Sequence, residues 1–219
     1  GTIAIAWHSQ GFRFITNSKQ PVAKLADLAP VKIRTPNNPI MIGVYRAWGT
    51  DPVPMDMDET FNALQQKVVD GQENPYPVFA SNKFEEVQKY ITEPHYKLWT
   101  GPVVVNVDWL RSLPADVQQF MFGKNDSTML IVRFDAPSAS DETMEAVAQI
   151  ENNRKMIAEM ETDLVKVLKD KGVEILAKPE DEPVWQEKAM GVWPQFYDKI
   201  GDISLLDTMM KSLGRTRPQ

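Results

Sequence analysis

Two polar residues in apolar surroundings could carry chemistry in this chain. Arg34 stands in Lys32-Ile33-Arg34-Thr35-Pro36-Asn37, at the end of a short apolar run. Asn74 follows 40 positions later in Val69-Asp70-Gly71-Gln72-Glu73-Asn74-Pro75. A guanidinium at a strand end can hold a carboxylate through two parallel hydrogen bonds of fixed geometry. An amide just past a helix end can donate to, or accept from, the same ligand. The competing uses are a structural salt bridge for Arg34 and a plain turn for Asn74, since Asn before Pro often marks one. Arg13, in Gly11-Phe12-Arg13-Phe14, is a weaker cation of the same kind. Trp48 and Met57 could line a cleft, although aromatic and Met side chains at helical spacing are more often core.

Catalytic constellations are missing. The two histidines, His8 and His95, have no cysteine to act with. No G-x-S-x-G elbow, H-E-x-x-H pair, P-loop or G-x-G-x-x-G run occurs. The carboxylates are scattered, so no acid/base pair can be picked out. The pattern therefore predicts a binder rather than an enzyme, with no cofactor and no metal ligand.

The elements that must position Arg34 and Asn74 alternate between strand and helix, which indicates α/β architecture. Strands are predicted at residues 2–7, 12–16, 31–34, 103–106 and 173–176. Ile40, Val44, Tyr45 and Trp48 recur at helical spacing, with Gly49 as the stop. Asp56 and Glu59 form a capping signature for a helix carrying Phe61, Leu64 and Val68, which Gly71 should end. Another short helix is predicted from Pro75 through Phe84 and Val87. A long helix is predicted over about residues 140–171, with Met144, Val147, Ile150, Ile157, Met160, Leu164 and Leu168 near one face. Two more helices are predicted at about 183–200 and 202–213.

The bulk numbers narrow the partners. The 219 residues are 42% hydrophobic and 25% charged, ordinary for a globular protein. A net charge of −6 argues against a nucleic-acid grip, but not against a locally positive cleft for a small anion. Without cysteine there are no disulfides or thiolate metal sites. No apolar run approaches the roughly 20 residues that span a bilayer, so no membrane insertion is expected. No basic segment followed by an apolar one remains as a signal peptide, and the start at Gly1 reads as a mature or cut end.

Further runs carry a family resemblance: Gly11-Phe12-Arg13 with Thr16-Asn17, Lys32 to Asn37, Gly49 through Pro54-Met55, Ala63-Leu64-Gln65, Val69 to Pro75, Lys83-Phe84-Glu85-Glu86-Val87-Gln88-Lys89-Tyr90, and Leu113-Pro114. In this order and spacing, from about residue 11 to 120, the chain resembles the extracytoplasmic solute receptors of tripartite ATP-independent periplasmic (TRAP) transporters, which take C4-dicarboxylates and sialic acid. The resemblance implies a two-lobed α/β fold of the periplasmic binding protein (Venus flytrap) type that closes by hinge motion, with long C-terminal helices. It also implies a periplasmic location, a monomer, a small-molecule carboxylate ligand and membrane subunits as partners. Arg34 would pair with the ligand carboxylate, Arg13 would add a second cationic contact and Asn74 a hydrogen bond. Met57 stands where relatives often place an aromatic lining residue.

Family receptors are longer at the N-terminus, so one lobe is expected to be incomplete. The implied division is residues 1–10 as a strand of the first lobe and hinge crossing, 11–100 as the second, ligand-binding lobe, and 101–219 as the return to the first lobe. Residues 121–141 depart from the family pattern, and Ser127 to Phe134 reads as a strand that should pair with something. The alternatives are a ligand-sensing module of a signalling system and a truncated form with weak binding.

Overall fold

Short apolar runs separated by amphipathic stretches become a mixed α/β structure in the computed structural model, which describes residues 1–122 and 141–219. In chain order the elements are β1 (Thr2–Phe12), β2 (Phe14–Asn17), α1 (Leu25–Leu28), β3 (Lys32–Thr35), α2 (Pro39–Ala47), β4 (Asp51–Pro54), α3 (Met57–Gln65), β5 (Gly71–Asn74) and α4 (Tyr76–Ser81). A 3-10 turn at Phe84–Glu86 leads to β6 (Tyr90–Thr92), β7 (Leu98–Asn106), α5 (Val107–Ser112), α6 (Ala115–Phe122), α7 (Asp141–Asp170), β8 (Glu174–Leu176) and α8 (Glu182–Met190). A second 3-10 segment, Trp193–Lys199, and α9 (Ile203–Ser212) complete the order. The strand expected at Ser127 to Phe134 lies outside the described residues.

The chain forms two units. One comprises Gly1–Gly11 with Leu98–Thr162, and the other Phe12–Lys97 with Asp163–Gln219. The C-terminal stretch from Asp163 thus groups with the 12–97 segment, where a return to the first lobe was expected. In the first unit β1 pairs with β7, and Ser9 Oγ donates to the Trp99 carbonyl at 2.9 Å.

The second unit is built on a six-stranded sheet in the order β4-β3-β5-β2-β6-β8. β3 runs parallel to β4 and β5, β6 runs parallel to β8, and β2 is antiparallel to both β5 and β6. Pro52 and Pro54 are tolerated because β4 is an edge strand, where a missing ladder donor costs little. Successive side chains of β2 point to opposite faces. Phe14 enters a cluster with Leu64, Phe79, Phe84, Ile91 and Leu168, while Ile15 enters one with Leu28, Ile33, Tyr45, Trp48 and Trp185. Helices therefore cover both faces, and the sheet is buried on each side.

Local chemistry sets the helix ends. The Asn38 side chain accepts from the backbone N–H groups of Ile40 and Met41, with Pro39 at the first helical position, and Gly49 follows α2 with φ +87°. Asp56 occupies the N-cap position of α3, but its side chain makes no capping bond; Thr60 Oγ1 instead donates to the Asp56 carbonyl at 2.9 Å. The predicted stop at Gly71 is not a stop. The helix ends at Gln65, Lys67 turns the chain with φ 59°, and Gly71 opens β5. A glycine is needed there because a Cβ would meet the Thr16 carbonyl oxygen at 2.0 Å. The helix predicted over 183–200 divides at Gly191 into α8 and a 3-10 segment. β6 is a strand that the apolar pattern did not reveal.

Candidate functional site

The strand directions gather the polar residues at one edge of the sheet. The carboxyl ends of β3, β4, β5 and β6 and the amino end of β2 all lie there. Open α/β sheets bind ligands outside the carboxyl ends of their strands. Arg34 is the penultimate residue of β3 and Asn74 ends β5, so the two residues 40 positions apart in sequence sit on neighbouring strands. Arg13 immediately precedes β2, and Tyr96 and Lys97 follow β6.

Arg13 is 6% exposed and faces Glu73, which is fully buried. Its Nε donates to Glu73 Oε2, and its Nη2 donates to Glu73 Oε1 at 2.6 Å and to the Glu73 carbonyl at 2.9 Å. Nη2 also reaches Asn74 Oδ1 at 2.9 Å. Burial pushes the Arg13 guanidinium down, but the Glu73 hydrogen bond and charge more than reverse this and hold it above its ordinary value. Tyr96 donates to Glu73 Oε2 at 3.1 Å, and the Tyr45 hydroxyl lies 3.4 Å from that of Tyr96. Burial raises both phenols well above their ordinary value, which keeps them protonated donors.

Asn74 is 3% exposed, and its amide is held on both sides. Nδ2 donates to Gln72 Oε1 at 2.6 Å and approaches Met57 Sδ at 4.0 Å. Gln72 in turn donates to Thr16 Oγ1 at 3.1 Å, and Thr16 donates to Gln88 Oε1 at 2.7 Å. This buried chain fixes which way the Asn74 amide points.

Arg34 differs from Arg13. It is 4% exposed, and its Nε and Nη2 both donate to one backbone oxygen, the Met55 carbonyl, at 2.9 and 2.6 Å. The ion pairs among the described residues do not include it. Burial lowers its guanidinium from the ordinary value; the Glu73 charge opposes that shift, Arg13 reinforces it, and Asp56 opposes it. A buried cation without a counter-charge is unfavourable until an anion meets it.

The structure brings Arg34, Asn74, Arg13 and Met57 together. Trp48 lies elsewhere. It is 2% exposed in the core, its indole N–H donates to the Trp185 carbonyl at 2.9 Å, and its ring packs edge-on against Trp185, Tyr45 and Tyr96. Glu73, Gln72, Tyr96, Tyr45 and Lys97 were not singled out from sequence. Read as a strand, Gly71 to Asn74 would have put Gln72 and Asn74 on one face and Glu73 on the other. Among the described residues there is no cluster of His, Cys, Asp and Glu able to hold a metal, and no helix is long and apolar enough to cross a membrane.

The profile of bacterial extracellular solute-binding protein family 7 (DctP) matches residues 1–126, more than half of the chain. The chain belongs to this family. The 2,3-diketo-L-gulonate-binding periplasmic protein YiaO of Escherichia coli is 31% identical over 80% of the chain and 47% of its own length. A TRAP periplasmic solute binding protein from Rhodobacter sphaeroides superposes with a TM-score of 0.70 at 38% identity, over 93% of this chain and 60% of that one. A TRAP periplasmic solute binding protein from Polaromonas, bound to D-erythronate, gives a TM-score of 0.72 at 28% identity, over 92% of this chain and 59% of that one. The chain therefore spans about half to three-fifths of the length of these family 7 relatives, and its α/β architecture is that of the two-lobed TRAP receptors.

Proposed function

We propose that this chain is the ligand-holding part of a periplasmic receptor that captures an organic acid through Arg34 and delivers it to the membrane subunits of a TRAP transporter. Arg34 carries the proposal: a guanidinium only 4% exposed, without an ion-pair partner among the described residues, at the carboxyl end of a sheet strand. A ligand carboxylate supplies the missing charge and accepts from the guanidinium edge that Met55 leaves free. The Asn74 amide presents a second polar contact, with one donor directed only at a thioether, a weak acceptor. Arg13 acts through Glu73, which neutralises it, and through Asn74 Oδ1, which it orients. Met57 forms an apolar, deformable wall. The ligands of the relatives point the same way: D-erythronate and 2,3-diketo-L-gulonate each carry a carboxylate.

Thermal-shift screening of the chain against sugar acids, keto acids, mono- and dicarboxylates tests the proposal. At least one class of acid should raise the melting temperature of the wild type, and Arg34→Ala should abolish that rise. Equal stabilisation of both proteins would remove Arg34 from the role, and no stabilisation by any acid would count against the receptor reading.

A further inference from the structure

The loop that carries Tyr96 to the edge of the sheet is held by a histidine. His95 adopts φ +45°, a left-handed backbone that a residue with a side chain rarely keeps without restraint. Its ring supplies restraint from both nitrogens. Nδ1 donates to Glu182 Oε1 of α8 at 2.8 Å. Nε2 lies 3.6 Å from Glu93 Oε2, on the residue that follows β6.

Four contacts join this loop to the groups around the candidate site. Glu93 Oε1 accepts from the Tyr76 hydroxyl, and Tyr76 opens α4 just after Asn74 and Pro75. Phe12, the residue before Arg13, packs edge-on against the His95 ring, with centroids 5.4 Å apart. Tyr96 donates to Glu73 Oε2 at 3.1 Å, and the Lys97 carbonyl accepts from the Arg13 N–H at 2.9 Å. The backbone at His95 thus sets the placement of residues that touch Glu73 and Arg13, and its ring borders the neighbours of Arg13 and Asn74.

The proton count on that ring decides how many ties it makes. A neutral imidazole has one N–H and one lone pair, so it can donate to only one of two carboxylates. An imidazolium donates to both. With Nδ1–H on Glu182, the second proton serves Glu93. Among the described residues, the other titratable groups of this cluster are Lys178, 3.3 Å from Glu182 Oε2, and Tyr76 on Glu93. Phe12 carries no charge.

We infer that His95 is a proton-operated latch on the receptor site. The imidazolium fixes residues 93–97, keeps Tyr96 on Glu73 and favours capture of the acid. Loss of the proton turns a lone pair toward Glu93, releases that tie and favours discharge. This rests on the receptor reading above and adds regulation by pH to it. Histidine ordinarily changes charge between about pH 5 and pH 8. By linkage, a site that binds more tightly at lower pH takes up protons as it binds.

The test is titration calorimetry with D-erythronate, D-galactonate and pyruvate, monocarboxylates that stay ionised from about pH 5.5 to about pH 8. Wild type should bind at least one of them about threefold more tightly at the lower pH. Runs in two buffers of different ionisation heat should show proton uptake near neutral pH. His95→Asn tolerates a left-handed backbone but cannot become charged, so its affinity should be the same at both pH values, without proton uptake. Glu182→Gln should reduce the pH dependence, and His8→Gln, which removes the other histidine, should keep it. A wild-type affinity that does not change with pH would overturn the latch and leave the receptor reading intact, as would a pH dependence that survives in both His95→Asn and Glu182→Gln. Failure of all three acids to bind at either pH would overturn the latch, and a blank result in the wider acid screen would overturn the receptor reading with it.

Discussion

Arg13 and Glu73 form a buried two-point ion pair, with the Arg13 side chain 7% exposed and that of Glu73 fully buried. The pair links the start of β2 to the end of β5, and the register that sets Ile15 opposite Glu73 holds the two strands in place. Two jobs follow for one contact. It ties the edge of the sheet together, and it removes Arg13 from competition for an incoming anion, leaving Arg34 as the buried cation that still needs one.

Glu73→Gln keeps the size of the side chain and removes its charge, so Arg13 is left buried without a counter-ion. Breaking one side of such a pair costs about 3–5 kcal/mol. An unfolding free energy lowered by that much, measured by urea titration, is expected. A change under about 1 kcal/mol would mean that water or another group compensates Arg13.

Gly71→Ala should be similarly damaging for a different reason. The new Cβ would lie 2.0 Å from the Thr16 backbone oxygen and 2.9 Å from Ile33 Cδ1. The first contact cannot be relieved by a rotamer change, because a Cβ is fixed by its own backbone and the atom it meets is a backbone oxygen across the β2–β5 ladder. Overpacking of this kind costs about 1–3 kcal/mol, measurable as a drop in melting temperature; an unchanged melting temperature would show that β5 can shift away from β2.

What could be seen in the sequence follows from how local each signal is. Asn38, Pro39 and Gly49 bracket α2 by chemistry confined to a few residues, and that helix was legible. The Asp70 to Pro75 run misled, because Gly, Gln, Glu and Asn are poor strand formers and read as a turn. Their strand state is imposed by partners distant in the chain: Thr16 for Gln72, and Arg13 for Glu73. Arg34 and Asn74 could be named through the family resemblance, but their adjacency on β3 and β5 comes from the strand order, which no local pattern encodes. Trp48 had the right spacing for either wall or core, and only the packing of Trp185 against it decides for core. Lys97 follows a histidine and a tyrosine in a polar stretch, where a lysine ordinarily reads as surface.

Trp48→Phe separates core from cleft. It removes the indole N–H that serves the buried Trp185 carbonyl and reduces the packed volume between α2 and α8. An unsatisfied buried acceptor costs about 1–3 kcal/mol. The expected result is a lowered unfolding midpoint with unchanged affinity for whichever acid binds. A selective loss of affinity at unchanged stability would return Trp48 to the wall of the cleft.

Acid should weaken the attachment of α8. Glu182, in the first turn of that helix, accepts from His95 Nδ1 at 2.8 Å and lies 3.3 Å from Lys178 Nζ. Burial raises its carboxyl, but the His95 hydrogen bond and Lys178 together outweigh burial, so the folded value lies below the ordinary 4.5. A carboxyl depressed on folding stabilises the protein at pH above its unfolded value, and that contribution is lost as pH falls through the folded value. Glu182→Gln cannot titrate. The stability advantage of wild type over this variant should therefore shrink as pH falls below about pH 4.5. Urea unfolding of both proteins across that range checks it, and an advantage that does not change with pH would show that the Glu182 contacts act through packing rather than charge.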